Sequence, residues 1–486
     1  MNILYKALSL ISFLTSFSLF ASTEKPSHMG ASSAEHIQSL NLIHNPFAIS
    51  CVVLFIIAYI FVILEEKLHM RKSKPVVLAA GLIWVVVAYL NQQKFAPHGT
   101  IEEIKYAKDL LKIVLNHNLI EFAELLLFLL VAMTYINAMT ERRIFRTLRY
   151  WLEKKGFTFK QLFWITGTLA FCLSPIADNL TTALLLGTVV LTVGGKEYKF
   201  INMACINIVL AANAGGAFSP FGDITTLMVW QADKVPFFDF FRLFLPALVN
   251  YLVPAVIMSF FLPQGKPEGE NEAFTMRKGA KRIIFLFALT IALAVSMKQL
   301  LGFPPYLGMM CGMSLLLFFG YYLKQRTHDD KMGISFNVFN KVEKAEWDTL
   351  FFFFGVIFCV GGLSYIGYLG AVSNMIYHPE TGMGIAQANI LAGGLSAIVD
   401  NIPVMYAILT MNPEMGITPD MSVYYWLQVT LTAGVGGSLL SVGSAAGVAL
   451  MGQSNGKYTF MGHLKWSWAI ALGYIASIYV HYLVNF

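Results

Sequence analysis

The stretch FWITGTLAFCLSPIADNLTTALLLGTVVLTV, residues 163–193, decides the fold class, because a polar motif interrupts a largely apolar run. Phe163–Leu173 is mainly apolar, SPIADN follows at 174–179, and a second apolar run covers Thr181–Val193. Proline lacks an amide donor and disfavours a continuous helix before it. The pattern predicts a re-entrant hairpin meeting a broken helix, whose free backbone carbonyls can bind a cation.

The composition of the whole chain places such segments in a membrane. Of its 486 residues, 57% are hydrophobic and 13% are charged, about half the charged share of a typical soluble domain. Several apolar runs are long enough, or nearly so, to cross a hydrocarbon core of about 30 Å. They are Phe47–Leu64, Pro75–Leu90, Leu119–Met139, Ile283–Leu301 and Leu350–Leu369. They lack the alternation of barrel strands, so we expect an all-α polytopic membrane protein.

Composition and motifs also exclude several classes of protein. The net charge of +6 comes from Lys and Arg in short loops beside apolar runs, which is typical of cytoplasmic anchoring and not of nucleic-acid binding. The sequence has no His-Glu-x-x-His zinc motif, and Gly452–Tyr458 lacks the spacing and hydroxyl of a phosphate-binding loop. We find no soluble ATPase domain. We therefore expect no enzyme activity, no cofactor, and transport driven by ion gradients.

Loop charges predict the topology. Lys67–Lys74 holds four Lys or Arg residues and 141–160 holds seven, so both loops are predicted to be cytoplasmic. The helix over Leu119–Met139 then runs from outside to inside, and the helix that starts near Asp348 runs from inside to outside. Residues 102–112 carry charges of both signs, and we expect a separate helix there on the outer surface.

Comparison of the two halves indicates an internal repeat. Three motifs recur in the same order, with offsets of 224 (348 − 124), 222 (400 − 178) and 221 (436 − 215): Glu124-Leu-Leu-Leu-Phe with Asp348-Thr-Leu-Phe-Phe, Asp178-Asn179 with Asp400-Asn401, and Gly215-Gly216 with Gly436-Gly437. Because the first matched helices enter from opposite sides, the repeats are predicted to be inverted, with a site at the midplane where the broken helices meet.

These patterns divide the chain into five segments. Residues 1–22 resemble a secretory signal, because Lys6 precedes an apolar run and then the small residues Ala21 and Ser22. An uncleaved amphipathic anchor is the alternative. A periplasmic N-terminal segment follows over 23–46. The first transmembrane repeat with peripheral helices covers 47–262, a cytoplasmic loop covers 263–282, and the second repeat covers 283–486.

Asp178 and Asp400 are the candidate centre of the site. A carboxylate near the bilayer centre is costly unless it is paired, protonated or wet, and a pseudo-twofold axis is expected to bring these two together. Two close carboxylates resist joint ionisation, so the pair can hold protons or release them to bind Na⁺. Asn179, Thr181 and Asn401 would add oxygen ligands. The alternative is that each Asp only caps a half-helix.

A second polar constellation in each half can add oxygen ligands around the glycine motifs. The predicted supporting residues are Ser174, Thr182, Asn213, Asp223, Thr225, Thr226, Ser396, Ser438 and Ser441, with Ser444 beside them. Tight helix packing without ligand contact is the alternative for the glycines.

Three further ionisable residues have open roles. Glu124 and Asp348 are predicted to begin their matched helices, where each could relay protons or only interact favourably with the helix dipole. His117 could sense pH near the outer surface or be an ordinary solvated histidine.

Taken together, the motifs Ser174-Pro-Ile-Ala-Asp178-Asn179, Asn213-Ala-Gly-Gly with Asp223-Ile-Thr-Thr, and Ser396-Ala-Ile-Val-Asp400-Asn401 resemble the NhaD-type sodium/proton antiporters. These belong to the ion transporter superfamily, with the arsenite permeases and the divalent-anion:sodium symporters. The resemblance covers residues 47–486. It implies exchange of Na⁺ or Li⁺ for H⁺, a scaffold with a separate transport domain, homodimers and an elevator motion.

The hairpin tips distinguish this chain from the relatives that carry dicarboxylates. Those resemble it but have Ser-Asn-Thr where this sequence has Asp178 and Asp400. Negative charge at both tips repels an anionic substrate and favours cations. We therefore predict an antiporter of the bacterial inner membrane, embedded in lipid, that exports Na⁺ (and Li⁺) in exchange for H⁺. The alternative is an anion or metalloid carrier, although neither motif contains a cysteine for a thiolate arsenic site.

Overall fold

The computed structural model describes residues 39–68, 70–154, 156–195, 197–266, 275–326, 337–378, 382–416, 418–454 and 456–486. The predicted signal segment 1–22 lies outside these residues, as does most of 23–46. In the described part of the chain the regular structure is helical, with no strand. The predicted all-α class is confirmed.

The first half, in chain order, contains α1 (Pro46–Ile63), α2 (Glu65–Leu68), α3 (Ser73–Phe95), α4 (Ile101–Glu141), α5 (Ile144–Lys154), α6 (Phe159–Ala177), α7 (Asn179–Val193), α8 (Tyr198–Gly216), α9 (Ile224–Gln231), a 3-10 helix (Phe237–Leu243) and α10 (Phe244–Ser259). The second half contains α11 (Ala280–Leu301), α12 (Pro305–Arg326), α13 (Phe339–Glu343), α14 (Trp347–Ile366), α15 (Tyr368–Tyr377), α16 (Ile385–Val399), α17 (Asn401–Met411), α18 (Pro419–Gly436), α19 (Ala445–Gln453), α20 (Phe460–Leu464) and α21 (Ser467–Asn485).

Helix length confirms the membrane assignment. Eight helical stretches among the described residues are long and apolar enough to cross a membrane, namely α1, α3, α4, the 3-10 helix with α10, α11, α12, α14 and α21. Each of the five apolar runs predicted from the sequence lies mainly on one of them, although Leu350–Leu369 continues past the end of α14 at Ile366 into α15. Many large apolar side chains are exposed at the protein surface, for example Val85 and Phe318, as expected for helices that face lipid.

The prediction of a separate outer-surface helix at 102–112 is wrong. α4 is one helix of 41 residues, about 60 Å long at the usual rise. A capping box starts it, since the Thr100 hydroxyl accepts from the Glu103 amide and the Glu103 carboxylate accepts from the Thr100 amide. No Gly or Pro occurs in the helix to break it. Glu124 therefore lies in the middle of a helix and not at its start, so its predicted interaction with a helix N-terminus is also wrong.

The long helices pack in two groups. We call α1, α3, α4, α11, α12 and α14 the frame group, because they pack mainly on one another. We call α6–α10, α16–α19 and α21 the hairpin group, which packs in the same way. The main direct contact between the groups joins α14 to α17, while the shorter helices α5 and α15 each contact both groups.

The hairpin group contains two helix–Asp–helix units. In the first, which we call hairpin 1, α6 runs along α8, since Asn207 Nδ2 in the middle of α8 donates to the Phe163 carbonyl of α6 at 2.9 Å. α7 then returns along α8 from Asn179, which contacts Asn213 near the end of α8. Hairpin 2 consists of α16, Asp400 and α17. α7 also packs on α19, and α17 packs on α9. These reciprocal contacts support the predicted repeat, and its inversion stays a prediction.

Candidate cation site

Each hairpin turns at one aspartate, and each aspartate caps the helix that follows it. Asp178 has a φ of 55° and Asp400 a φ of 83°, a conformation that costs roughly 1–3 kcal/mol for a residue other than glycine. Asp178 Oδ1 accepts from the Thr181 amide at 2.7 Å, and its Oδ2 accepts from the Thr181 hydroxyl at 2.9 Å. Asp400 Oδ1 accepts from the Asn401 amide at 2.9 Å. The capping alternative is thus part of the structure at both tips.

Two predicted supporting residues hold the hairpins against α8 and α18, the two helices that end at the glycine motifs. Ser174 Oγ donates to the Ala212 carbonyl at 2.6 Å, and Ser396 Oγ donates to the Ala433 carbonyl at 2.7 Å. The two bonds occupy equivalent places in the two halves. Both hydroxyls donate to backbone carbonyls of a neighbouring helix, which is a packing role that the sequence does not predict.

The glycine motifs permit close approach of backbones, as the packing alternative predicts. A Cβ on Gly222 would lie 2.9 Å from the Pro175 Cα, and one on Gly443 would lie 2.8 Å from the Ala397 Cα. Real side chains do not fit at such distances. The Asn179 amide uses this proximity and donates to the Gly222 carbonyl at 3.1 Å.

Both hairpin tips converge on Asp223. This buried carboxylate accepts from Asn179 Nδ2 through Oδ2 at 3.3 Å. It also accepts from Asn401 Nδ2, at 3.0 Å through Oδ2 and 3.3 Å through Oδ1. Asp223 in turn caps α9, because its Oδ1 accepts from the Thr225 amide at 3.2 Å. Predicted as a supporting residue, Asp223 lies at the junction of the two halves.

Asn213 links the same junction to the second half. Its Oδ1 accepts from Asn179 Nδ2 at 3.1 Å, and its Nδ2 donates to Ser438 Oγ at 2.8 Å and to Ser444 Oγ at 3.0 Å. Ser441 lies elsewhere, since its Oγ points to Met451 Sδ at 3.7 Å. Ser441 is predicted as a supporting ligand, but its hydroxyl makes no hydrogen bond with these residues.

Three buried threonine hydroxyls near the starts of α7 and α9 have no hydrogen-bond partner among the described residues: Thr182, Thr225 and Thr226. An unsatisfied buried polar atom costs about 1–3 kcal/mol, so each such group needs a physical reason. A hydroxyl oxygen can coordinate a hard cation. The donor set of carboxylates, amide oxygens and hydroxyls therefore suits a hard cation.

A small cavity reaches this junction beside hairpin 1. It has a volume of about 50 Å³, and Asp178, Asn179, Asp223 and Asn401 line it together with Glu346. A water needs roughly 10–15 Å³ of such space, so the cavity has room for an ion with a few waters. Asp178 is half-buried at its edge. Side chains of α4 and α14 form the opposite wall.

Asp400 is buried and has a different partner. Its Oδ2 lies 3.6 Å from Lys72 Nζ. Asp178 and Asp400 share no hydrogen bond in the described structure, and the tips meet through their asparagines at Asp223. Lys72 was counted in the sequence only as a loop charge. Nothing in the sequence distinguishes it from Arg71 or Lys74, because the contact depends on how hairpin 2 packs against α3 and α14.

A buried histidine is another residue that the sequence did not reveal. His463 lies 2.9 Å from the Ser438 carbonyl through Nε2 and 2.7 Å from the Tyr458 hydroxyl through Nδ1. It thereby fixes the backbone of a serine that contacts Asn213.

The remaining predicted residues lie outside the junction. Glu124 lines a separate cavity of about 160 Å³ with Glu121 and Tyr406. His117 Nε2 lies 3.3 Å from Glu121 Oε1, so this histidine has a carboxylate partner. Asp348 is in the first turn of α14, where Oδ1 accepts from the Ser73 hydroxyl at 2.5 Å. The structure leaves the proton-relay and pH-sensing predictions untested.

Helices long enough to span a membrane, together with two helix breaks that meet at buried polar groups, define a polytopic membrane transporter. A family model described as citrate transporter matches residues 59–434. The chain is 54% identical to the Na(+)/H(+) antiporter NhaD of Vibrio cholerae serotype O1, over 92% of this chain and 94% of that protein. This chain belongs to the NhaD family of antiporters, which are transporters and not enzymes.

Two further relatives show how far the similarity extends. The Na(+)/H(+) antiporter NhaD of Alkalimonas amylolytica is 53% identical, over 90% of this chain and 90% of that protein. Sodium/proton antiporter 1 of Arabidopsis thaliana is 29% identical, over 90% of this chain and 72% of that protein.

Proposed function

We propose that this protein exports Na⁺ in exchange for H⁺, with the proton gradient as the driving force. The observation that carries the proposal is the Asp223 carboxylate, which accepts from the tip asparagines of both hairpins in a buried junction. The names of the close relatives support the same exchange. In this proposal Asp178, Asp223 and Asp400 are the groups that carry either protons or the cation.

The coupling follows from competition for the same oxygens. A carboxylate in a poorly hydrated site is costly as a free anion and is stabilised either by a proton or by a cation. If the hairpin group crosses only when these oxygens carry one or the other, Na⁺ moves out as H⁺ moves in. Asn179 and Asn401 turn amide nitrogens toward Asp223. The Asn179 amide oxygen accepts from the Leu180 amide at 2.9 Å, so in this proposal the Asn401 amide oxygen is the one that binds the cation.

Alternating access would use the division into two helix groups. The hairpin group holds the junction, and the frame group forms the other wall of its small cavity. A displacement of one group against the other would close this cavity and open a second one on the opposite side, as expected for inverted repeats. In this view Li⁺ is a second substrate, and the protein is a homodimer in the inner membrane with a periplasmic N-terminus.

An anion carrier is the second candidate, because the matching family model is described as citrate transporter. The cavity beside hairpin 1 opposes it. Sites for small organic ligands typically have about 300–1,000 Å³, far more than the 50 Å³ here. The lining residues include the acids Asp178, Asp223 and Glu346 and neither Lys nor Arg, so a tricarboxylate would meet like charges.

A flux assay separates the two candidates. Inverted vesicles from a host that lacks sodium/proton antiporters are energised, and the dequenching of a pH-sensitive dye is followed after addition of NaCl, LiCl, KCl or sodium citrate between pH 7 and 9.5. We expect a response to Na⁺ and Li⁺, none to K⁺, and none with Asp400→Asn. Vesicles without the protein give the background. Uptake of labelled citrate without Na⁺-induced dequenching would overturn the proposal in favour of the anion carrier.

A further inference from the structure

Lys72 carries a charge that the exchange described above does not use. Its side chain is 12% exposed, and Nζ lies 3.6 Å from Asp400 Oδ2. The ammonium group also lies 4.4 Å from the centroid of the Phe352 ring, a distance at which a cation is attracted to the ring face. A largely buried ammonium is thus placed between one acid and one aromatic ring.

The backbone around Lys72 is fixed to the frame group. The neighbouring Ser73 hydroxyl donates to Asp348 of α14. Phe352 also belongs to α14. The ammonium of Lys72 extends from the frame group to Asp400, which is the tip of hairpin 2.

The pair has a consequence for sodium binding. A protonated lysine and Na⁺ carry the same charge, so both are attracted to Asp400 and each repels the other. While the ammonium lies 3.6 Å from Oδ2, Na⁺ that approaches this carboxylate is repelled by it, so binding of Na⁺ favours displacement of the ammonium. Hairpin 1 has no equivalent, because Asp178 is not ion-paired with any Lys or Arg in the described residues and has Glu346 across the small cavity.

We propose that Lys72 is a tethered cation that locks hairpin 2 to the frame group in the sodium-free protein, and that Na⁺ releases the lock by taking its place on Asp400. The inference rests on the proposed exchange of Na⁺ for H⁺. It assigns Lys72 a positioning role, in which it competes with the substrate cation and controls when hairpin 2 can move.

The test compares Lys72→Met, which removes the charge at similar length, with Lys72→Arg, which keeps it. Lys74→Met is the matched control, because Lys74 is exposed two residues further along α3. In the vesicle assay Lys72→Met is expected to lower the half-maximal Na⁺ concentration about fivefold, since the fraction of protein with a free Asp400 rises. Lys72→Arg and Lys74→Met are expected to stay within about twofold of the unchanged protein.

A binding readout checks the same proposal without turnover. The purified protein in detergent is heated with and without NaCl, with KCl as the ionic-strength control. Lys72→Met is expected to melt lower without Na⁺, because Asp400 is left buried and unpaired, and to gain more from Na⁺ than the unchanged protein. If Lys72→Met does not fold, Lys72→Met with Asp400→Asn is expected to restore folding, because no unpaired charge remains.

The outcomes distinguish the lock from the exchange itself. If the unchanged protein exchanges Na⁺ for H⁺ but Lys72→Met has the same half-maximal Na⁺ concentration and the same gain from Na⁺, the lock is wrong and the exchange stands. If the double variant is no more stable than Lys72→Met, the pair does not hold hairpin 2. If the unchanged protein shows no Na⁺ response, the exchange fails first.

Discussion

The two hairpin tips have nearly the same sequence and different surroundings. Asp178 is half-buried beside a small cavity and caps α7 with two hydrogen bonds from Thr181. Asp400 is buried, caps α17 with one hydrogen bond from the Asn401 amide, and is paired with Lys72 of the frame group. Two tips with the same Asp-Asn motif therefore differ, because the packing of the rest of the chain leaves Asp178 beside a cavity and holds Asp400 against Lys72.

The largest expected effect concerns what the tips share. Asp223→Asn keeps the shape of the side chain but removes the charge that both tip asparagines contact. Hydrogen bonds to a charged group are worth about 1.5–3 kcal/mol each, so we expect a roughly 100-fold fall in the exchange rate. Dye dequenching in inverted vesicles measures it. A rate within threefold of the unchanged protein would show that the tips do not act through Asp223.

The next effect separates the tips by stability. Asp400→Ala leaves the Lys72 ammonium without its partner, which typically costs 3–5 kcal/mol in a buried pair. Asp178→Ala removes only a helix cap, worth about 1 kcal/mol. Thermal unfolding in detergent should therefore show a clearly lower midpoint for Asp400→Ala. Equal midpoints would mean that the Lys72 contact contributes nothing to the fold.

Accessibility gives a third contrast between the tips. Thr181 and Pro403 are equivalent positions (403 − 181 = 222), yet Thr181 lines the small cavity and Pro403 is buried. In a variant without native cysteines, Thr181→Cys should react with a maleimide roughly ten times faster than Pro403→Cys, since reaction requires an accessible thiol. Na⁺ should slow the first reaction. Similar rates would contradict a small cavity that exposes Thr181 and leaves Pro403 covered.

The smallest effects are expected for Ser174 and Ser396, which make equivalent hydrogen bonds in the two halves, and for Ser441. Ser174→Ala and Ser396→Ala each lose one buried bond to a broken helix, and both should cost about 1 kcal/mol in the free energy of unfolding. Ser441→Ala should change the exchange rate less than twofold, because Ser441 contacts Met451 and not the junction. A large fall in the exchange rate of Ser441→Ala would support the predicted role of Ser441 as a ligand.

Parts of the site could be predicted because they depend on local sequence. The helix breaks at Asp178 and Asp400 follow from polar motifs inside apolar runs, and the structure places a break at each. Asn179, Asn213, Asp223 and Asn401 were all identified as site residues in advance. The sequence favours the Asp178 and Asp400 pair as the centre of the site, whereas in the structure the two halves meet at Asp223.

Other parts could not be predicted, for identifiable reasons. The charges at 102–112 predict a separate surface helix there. The structure instead has the single helix α4, because a helix without Gly or Pro continues through charged residues once it has begun. Ser441 was grouped with Ser438 and Ser444 by spacing, but α18 ends at Gly436, so helical spacing no longer decides which of these serines face Asn213.

The sequence by itself determined a helical membrane protein with two matched polar breaks, because hydropathy, proline and charge act over a few residues at a time. Only the tertiary structure decided that the tips meet at Asp223, that Asp178 borders the small cavity, and that Lys72 reaches Asp400. These contacts join residues from distant parts of the chain, 178 (401 − 223) and 328 (400 − 72) residues apart. Their existence depends on how whole helices pack, which no local pattern in the sequence records.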